Sequence, residues 1–324
     1  MRILLTTTSY QDTPGPHHDT LAQSGYDVVR ARGPLTEAQM LQLVQANGGF
    51  DGLLNGDDHI TAKVIDAALA TPTKLRVIAK YGIGLDSIDV THATAHRIPV
   101  LFTPGVNHTT VAEHTFGLMI ALVKHFWPHL RAVKKGEWKR ITGHELYGKT
   151  VGVLGMGRIG KEVIKRARAF DMHAVAFDTY WDEAFAKQYD VRRCATAQDV
   201  LQIADVVSLH MNLTPENQGF INKDRIALMK EGALVINTAR GGLVNEADVA
   251  EACKAGRLGG YGADVLNTEP PKSGHPFEAI DNIIITPHVG SRTFESVERQ
   301  AMRATLNLVN YLNGAKDYIQ ANAF

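Results

Sequence analysis

Three polar side chains in the second half of the sequence have the types needed for acid–base chemistry. Arg240, Glu269 and His288 each follow a predicted strand, in a loop flanked by glycine or proline. Imidazole titrates near neutral pH, and an adjacent carboxylate fixes its tautomer and favours its protonated form. The planar fork of arginine suits a carboxylate and can polarise a neighbouring carbonyl. Taken singly, the arginine and the glutamate are typical of solvent-exposed loops, but together the three predict proton transfer on a 2-oxo acid.

The segment TVGVLGMGRIGKEV has the glycine spacing of a dinucleotide-binding turn. Gly155, Gly157 and Gly160 form G-x-G-x-x-G directly after an apolar strand and at the start of a predicted helix. The first glycine allows a tight turn, the second lets backbone approach a pyrophosphate, and the third lets helix and strand pack closely. The helix N-terminus adds free N–H groups for the phosphates. A purely structural turn is the alternative, which the strand–turn–helix context disfavours.

An acidic residue stands where the same fingerprint requires one. A second predicted strand ends in Asp178, about 20 residues after the glycines. Its carboxylate would accept hydrogen bonds from ribose hydroxyls and repel a 2′-phosphate. The next residues, Thr179, Tyr180 and Trp181, supply no compensating cation. The sequence therefore predicts NAD rather than NADP.

The sequence pattern predicts alternating strands and helices, which must position these residues. Strands are predicted near residues 2–6, 52–54, 77–79, 100–101, 151–154, 173–177, 206–209, 234–237, 260–265 and 283–286. Helices are predicted near 35–45, 62–69, 110–122, 197–203, 223–228, 246–255 and 293–312, with Pro128 breaking or kinking a helix. This order predicts an α/β fold of two doubly wound parallel sheets. Because the last helix has no strand after it, we expect it to return across the first domain.

Composition excludes several function classes. The chain has 324 residues, enough for about two domains, and a formal net charge of +0 from 34 basic and 34 acidic residues. This balance gives no electrostatic reason to expect a nucleic-acid or membrane partner. Two cysteines, no signal-peptide pattern and no apolar run of membrane-spanning length are typical of a cytoplasmic protein.

The motifs together resemble the NAD-dependent D-2-hydroxyacid dehydrogenase family, and most of all its phosphoglycerate-dehydrogenase-like branch. They occur in the family's order as KYGIGLDSID, TPGVNHTTVAEHTFGLMIAL, LYGKTVGVLGMGRIGKEV, ADVVSLHMNLTPENQGFIN, NTARGGLVNE, GADVLNTEPP and TPHVGS. The resemblance implies two similar Rossmann-like domains around a cleft. The substrate domain would be flavodoxin-like and comprise residues 1–103 plus 293–324, and the NAD-binding domain would comprise 104–292. It also implies a homodimer joined through the NAD-binding domain, which would give the apolar helix after Thr110 a partner.

The resemblance also assigns roles to residues. It implies that His288 is the acid/base, that Glu269 is its partner, and that Arg240 binds the substrate carboxylate and carbonyl. It implies cofactor contacts from Arg158 and Ile159 at the pyrophosphate, Asp178 at the ribose, His210 and Met211 at the adenine end, and Thr238, Ala239, Asp264 and Gly290 near the nicotinamide. Backbone N–H groups of Ile83 and Gly84 would bind the other side of the substrate carboxylate.

The substrate is less clear from the sequence. Phosphoglycerate-specific relatives place arginines in the first domain, whereas the corresponding stretch GLLNGDDHITAKV contains none. In that stretch the residues Asn55, Asp57, Asp58 and His59 are polar or acidic, which disfavours a phosphate unless the carboxylates point away. The sequence ends at Phe324, before the regulatory domain that longer phosphoglycerate dehydrogenases append. We therefore expect another 2-hydroxy acid, such as the product of hydroxypyruvate or glyoxylate reduction, and keep D-3-phosphoglycerate dehydrogenase of serine biosynthesis as the alternative.

The residues before the glycine pair of the first domain are ambiguous. Lys80 and Tyr81 are candidate substrate-binding residues at the end of a predicted strand. The lysine could receive an anion or be a solvated strand end, and the sequence leaves both open.

Two further hypotheses about the function have less support from the sequence. A dinucleotide-sensing corepressor shares this fold and the polar trio, but it typically adds terminal segments not seen here. Formate dehydrogenases place a glutamine where this sequence has Glu269.

The histidines and cysteines predict no metal site and no nucleophile. The pairs His92/His96 and His17/His18 have no third ligand at a recognisable spacing, so surface or capping roles are expected. Cys253 lies in a helical stretch and is expected to pack in the interior.

Overall fold

The computed structural model describes all residues from Met1 to Phe324 and divides them into two compact units. Unit 1 comprises Met1–Asn107 and Arg292–Phe324, and unit 2 comprises His108–Ser291. The strands are β1 Arg2–Leu5, β2 Asp27–Arg30, β3 Gly52–Asn55, β4 Val77–Lys80, β5 Val100–Leu101, β6 Thr150–Leu154, β7 His173–Phe177, β8 Val191–Arg193, β9 Val206–Leu209, β10 Ala233–Asn237, β11 Leu258–Ala263 and β12 Ile283–Ile285. The helices are α1 Thr8–Asp12, α2 Pro16–Gln23, α3 Glu37–Ala46, α4 Ala62–Ala70, α5 Val90–Ala95, α6 His108–Val123, α7 Phe126–Lys134, α8 Arg158–Ala169, α9 Glu183–Gln188, α10 Ala197–Ile203, α11 Lys223–Leu228, α12 Glu246–Lys254 and α13 Phe294–Leu312.

Unit 1 contains a five-stranded parallel sheet in the order β2-β1-β3-β4-β5. This is the flavodoxin-like order, in which the strand order reverses between β1 and β3 while all strands stay parallel. Strands β3 and β4 are buried at every position because helices cover both faces of the sheet. One face packs against α3, α4 and α5 around Leu53 and Ile78, and the other packs against α13 around Leu54 and Val77.

Helix α13 closes the second face of this sheet. Its residues Ala301, Ala304 and Leu308 are buried and share one side of the helix. Thr293 caps the helix, since its side chain accepts a hydrogen bond from the N–H of Ser296. The last helix of the chain is therefore part of the core of unit 1.

Unit 2 contains a seven-stranded parallel sheet in the order β12-β11-β10-β9-β6-β7-β8. The strand order reverses between β6 and β9, which creates the switch point where doubly wound sheets bind ligands at the carboxyl ends of their strands. The predicted fold class, two Rossmann-like parallel-sheet domains, is confirmed.

The region around Pro128 differs from the prediction. Helix α6 ends at Val123, and α7 starts at Phe126 after His125, which has a φ of 51°. Pro128 lies in the first turn of α7, where its missing N–H has no helical partner to lose. The proline therefore does not break a helix. Helix α6 packs against α8, β10 and β11 of its own unit.

Sequence reasoning missed some short elements. Strand β2 has the sequence DVVR, is partly exposed and lies at the edge of its sheet, so it lacks a strong apolar pattern. Helix α1 has only five residues, too few for a helical period to be seen. No helix combines the length and the apolar character that a membrane crossing requires.

Candidate active site

Adjacent strands of unit 2 bring the predicted polar trio to one edge of the sheet. Arg240 follows β10, Glu269 follows β11 and His288 follows β12. Strand β11 pairs in parallel with both of the others, so all three carboxyl ends lie on the same side. This is the edge at which ligands bind in open parallel sheets.

The histidine and the glutamate form a hydrogen-bonded pair. Nδ1 of His288 lies 2.7 Å from Oε2 of Glu269. The other carboxylate oxygen, Oε1, accepts a hydrogen bond from the N–H of Leu266 at 2.9 Å, which fixes the glutamate in its own loop. Because an ionised carboxylate only accepts, Nδ1 carries the proton and Nε2 is the nitrogen available to a reactant. The imidazole is 47% exposed, so a reactant can reach it.

Asp264 holds the turn that carries the histidine. His288 has a φ of 52°, a left-handed conformation that is strained for a residue with a side chain. The carboxylate of Asp264 is buried and accepts hydrogen bonds from the N–H of Val289 at 2.8 Å and of Gly290 at 2.6 Å. A Cβ at Gly290 would lie 2.8 Å from this carboxylate, so the position requires glycine. Asp264 therefore positions His288, a role that sequence reasoning did not assign to it.

A threonine and a histidine support Asp264 in turn. Oγ1 of Thr286 donates to Oδ1 of Asp264 at 2.6 Å. Nε2 of His114, on α6, lies 2.8 Å from the same hydroxyl and 3.5 Å from the carboxylate. Sequence reasoning missed both residues, although Thr286 lies within the TPHVGS motif and could have been found there.

The loop after β10 is shaped by a buried amide. The Asn237 side chain donates to the carbonyl of Arg240 at 2.9 Å and accepts from the N–H of Ala239 at 3.1 Å. The guanidinium of Arg240 donates to the carbonyl of Ala239 at 2.7 Å. Oγ1 of Thr238 lies 2.9 Å from the hydroxyl of Thr115 on α6. These contacts give the arginine loop one defined conformation at the carboxyl edge.

The three glycines after β6 meet the demands of a dinucleotide turn. Gly155 has a φ of 98°, and a Cβ there would lie 2.7 Å from backbone atoms of His210. A Cβ at Gly160 would lie 2.1 Å from the carbonyl oxygen of Gly155, so α8 can pack this closely only with glycine. Gly157, by contrast, faces open space and is the N-cap of α8. The open side of the turn thus leaves room for a pyrophosphate beside the N–H groups of Arg158 and Ile159.

The carboxylate at the end of β7 is tied to the glycine turn. Oδ2 of Asp178 accepts from the N–H of Met156 at 2.5 Å, and Oδ1 accepts from the N–H of Tyr180 at 2.7 Å. A partly buried carboxylate beside the turn is the arrangement that ribose binding requires. The guanidinium of Arg193 lies 5.2 Å from the ring of Trp181, a cation that the sequence analysis did not consider.

His210 and Met211 follow β9 and back the same turn. Burial lowers the pKa of His210 to about 3, so its ring is neutral at physiological pH. Its Nε2 lies 2.8 Å from the hydroxyl of Ser208. Met211 is partly buried against the core of unit 2. The neutral imidazole can line a binding surface but cannot exchange protons with a reactant near neutral pH.

In unit 1, the predicted substrate residues follow β4. Gly82 has a φ of 131° and is fixed by Thr103, whose N–H donates to its carbonyl at 2.9 Å. After this turn, the backbone N–H groups of Ile83 and Gly84 donate to no other group of the protein. Burial raises the pKa of Tyr81 to about 12, so its hydroxyl stays protonated.

Of the two interpretations of Lys80 that the sequence left open, a solvated strand end is wrong. Its side chain is only 2% exposed, because it extends under the loop after β3. The ammonium donates to the carbonyl of Gly56 and to Oδ1 of Asp57, both at 2.6 Å. The neighbouring Asp58 is fully buried and accepts hydrogen bonds from the N–H of Leu35 and of Gly56. Of the two acidic residues, Asp58 is structural and Asp57 neutralises the lysine.

Comparison with known proteins identifies the family. Residues 116–290 match the family model described as D-isomer specific 2-hydroxyacid dehydrogenase, NAD binding domain. The chain belongs to this family. Unit 2 is its NAD-binding domain, and the glycine turn and Asp178 fit NAD.

Relatives and solved structures agree with the family. D-3-phosphoglycerate dehydrogenase of Methanocaldococcus jannaschii is 41% identical over 81% of this chain and 49% of its own length. Glyoxylate reductase of Thermofilum pendens is 37% identical over 79% of this chain and 76% of its own. A crystal structure of a Thermus thermophilus protein superposes with a TM-score of 0.89 at 36% identity, covering 99% and 100% of the two chains. The chain spans about half the length of the phosphoglycerate dehydrogenases that it matches.

Replacing Asp178 by alanine should weaken NADH binding and reduce the preference for NADH over NADPH. Hydrogen bonds to a charged group contribute about 1.5–3 kcal/mol, so the loss predicts a rise of about tenfold or more in the Kd for NADH. Titration calorimetry with both nucleotides measures this. The control is Asp190→Asn, which changes an exposed aspartate before β8. An unchanged Kd for NADH in the Asp178 variant would contradict the assignment.

Proposed function

We propose that this chain is an NAD-dependent oxidoreductase that interconverts a D-2-hydroxy acid and its 2-oxo acid. The observation that carries the proposal is the hydrogen-bonded pair of His288 and Glu269 at the carboxyl edge of an NAD-binding sheet. Relatives named for phosphoglycerate dehydrogenation and glyoxylate reduction support the reaction class.

Each residue of the proposed site has its own role in the reaction. When bound, NADH supplies the hydride for reduction of the oxo group. Nε2 of protonated His288 donates a proton to the carbonyl oxygen, which carries developing negative charge. Glu269 accepts from Nδ1 and so stabilises the imidazolium that exists before the transfer. The guanidinium of Arg240 binds the carboxylate and polarises the carbonyl.

Each predicted cofactor contact keeps its role in this proposal. The N–H groups at the start of α8 bind the pyrophosphate, Asp178 binds the adenosine ribose, and His210 and Met211 lie at the adenine end. The loops around Thr238 and Gly290 hold the nicotinamide. Asp264 serves this end of the cofactor indirectly, because both its oxygens are engaged with the turn after β12.

In this proposal the loop after β4 in unit 1 binds substrate, and the boundaries of unit 1 lie near those predicted for the substrate domain. The unpaired N–H groups of Ile83 and Gly84 can bind a carboxylate. Lys80 and Tyr81 support this loop from beneath rather than offering a free cation. The ammonium of Lys80 already binds Asp57.

The pairing of Lys80 favours an unphosphorylated substrate. A phosphate near this loop would have to displace or face the carboxylate of Asp57, which costs free energy through like-charge repulsion. D-3-phosphoglycerate is the alternative substrate, because relatives at 41% and 36% identity carry the name D-3-phosphoglycerate dehydrogenase.

His288→Ala should lower turnover by orders of magnitude while leaving NADH binding intact. General acid catalysis contributes about 10²–10⁴-fold, so a loss of that size in kcat is expected. The Kd for NADH should change less than about twofold because the imidazole pairs with Glu269 rather than with the glycine turn. Steady-state kinetics and calorimetry measure the two quantities, with the exposed His144→Gln as control. Equal losses in both would show that His288 is structural.

A panel of 2-oxo acids tests the substrate class. We expect NADH oxidation with glyoxylate or hydroxypyruvate at a higher kcat/KM than with phosphohydroxypyruvate. In Asp57→Asn the ratio should shift towards the phosphorylated acid, because the repelling carboxylate is removed. A wild-type preference for phosphohydroxypyruvate would establish the phosphoglycerate alternative. NADH binding without turnover of any substrate would instead favour the hypothesis of a dinucleotide-sensing, corepressor-like binding protein.

We also propose that the protein forms a homodimer through unit 2. Helix α7 and the segment after it expose large apolar side chains to solvent: Phe126, Trp127, Leu130, Val133, Trp138 and Tyr147. Such a patch is unusual on a monomer and is typical of a protein–protein interface. The only partner that a chain always meets at its own concentration is a second copy, and a two-fold interface would cover the patch on both.

Leu130→Glu should convert the dimer to a monomer, because it places a charge in the apolar contact. Analytical ultracentrifugation measures the mass. Phe294→Glu, at an exposed apolar position of unit 1, is the control and should remain dimeric. A wild-type protein that sediments as a monomer would rule out the proposal.

We further propose a cytoplasmic location. Cys194 and Cys253 are buried and unpaired, as in proteins of reducing compartments. Burial raises the pKa of Cys253 to about 12, so it is a packed thiol rather than a nucleophile.

A further inference from the structure

Three side chains on the surface of unit 1 converge as metal ligands do. His92 lies within α5, His96 follows four residues later as the C-cap of this helix, and Asp66 lies on α4. Nε2 of His92 is 2.7 Å from Oδ1 of Asp66, and Nε2 of His96 is 3.6 Å from the same oxygen. One ligand atom from each of the three residues lies within 4.8 Å of the others. The sequence predicted no third ligand for this histidine pair, and the packing of α4 on α5 provides Asp66.

The local fold explains why these side chains face outward together. On α4, Val64, Ile65 and Ala68 are buried against the sheet, which turns Asp66 to the solvent side of the helix. Asp89 caps α5 by accepting from the N–H of His92 at 2.9 Å, so the start of this short helix is fixed. Residues four apart share one face of a helix, which places the two imidazoles 4.6 Å apart between ring centroids, with their planes tilted by 52°.

The donor set and spacing suit a transition metal. Zn²⁺ binds histidine nitrogen and carboxylate oxygen at about 2.0–2.2 Å in a tetrahedron, which places neighbouring ligands roughly 3.3 Å apart. The observed separations bracket that value, so small side-chain rotations suffice. Two imidazoles and a carboxylate leave a fourth position for water, and the partial exposure of all three groups leaves room for it. The hydrogen bond of His92 to Asp66 would be replaced by two bonds to the ion.

We propose that Asp66, His92 and His96 bind one divalent transition-metal ion, with Zn²⁺ as the ion that fits best, and that the ion links α4 to α5. The proposal does not depend on the proposed dehydrogenase activity. Asp66 and His96 are exposed, His92 is partly exposed, and none of the three is a residue of the proposed active site. The ion is therefore a structural link in unit 1 that restrains the start of α5 and the loop that leads to it.

Titration of Zn²⁺ into the chelator-treated, NAD-free full chain tests the site. We expect one ion per chain in calorimetry and a rise in melting temperature, since an ion that binds only the folded state stabilises it. The variant His92→Gln/His96→Gln should bind at least about tenfold more weakly and lose the rise in melting temperature. Asp66→Asn should weaken binding in the same direction. The matched control is His144→Gln/His173→Gln, which removes two exposed histidines elsewhere and should behave as wild type.

A crystal of the Zn²⁺-loaded wild-type protein locates the ion without any variant. Anomalous density between Asp66, His92 and His96 supports the proposal even if a variant folds poorly. No Zn²⁺ binding by the wild type, equal affinity in the His92/His96 variant and the control, or anomalous density only at other residues would each overturn it.

Discussion

The turn that carries His288 depends on the carboxylate of Asp264. The left-handed backbone of His288 costs about 1–3 kcal/mol. Asp264 accepts hydrogen bonds from Thr286, Val289 and Gly290, and each hydrogen bond to a charged group contributes about 1.5–3 kcal/mol. The hydrogen bonds therefore outweigh the strain, and the imidazole is held where Glu269 can reach it. Without this carboxylate the turn would relax, and the hydrogen-bonded pair of His288 and Glu269 would lose its fixed geometry.

The parallel sheet of unit 2 brings residues that are distant in the sequence to one edge of the sheet. The glycine turn follows β6 and Asp178 follows β7. The loops with the arginine, the glutamate and the histidine follow β10, β11 and β12, respectively. Each loop is then fixed locally by a buried polar group, as Asn237 fixes the loop of Arg240. The sheet sets the approximate positions, and these buried groups set the final ones.

Residues with strong local patterns were predictable from the sequence. The glycine turn, Asp178 and the fold class follow from strand–turn–helix spacing and from the alternation of apolar runs. The ligand pair of His92 and His96 was visible, but Asp66 was not, because helix packing between α4 and α5 decides it. Lys80 was ambiguous for the same reason: its burial and its contact with Asp57 arise between two neighbouring strands, β3 and β4. The positioning role of Asp264 also required the structure, since its partners lie more than twenty residues away.

In the proposed mechanism, Glu269 acts through His288 and not independently. A double-mutant cycle of Glu269→Gln and His288→Gln, measured as the rate of NADH oxidation in a single turnover, tests this dependence. The double variant should be no slower than His288→Gln alone, because the glutamate has nothing left to orient. Additive losses, with the double variant slower by the product of the two single effects, would contradict it.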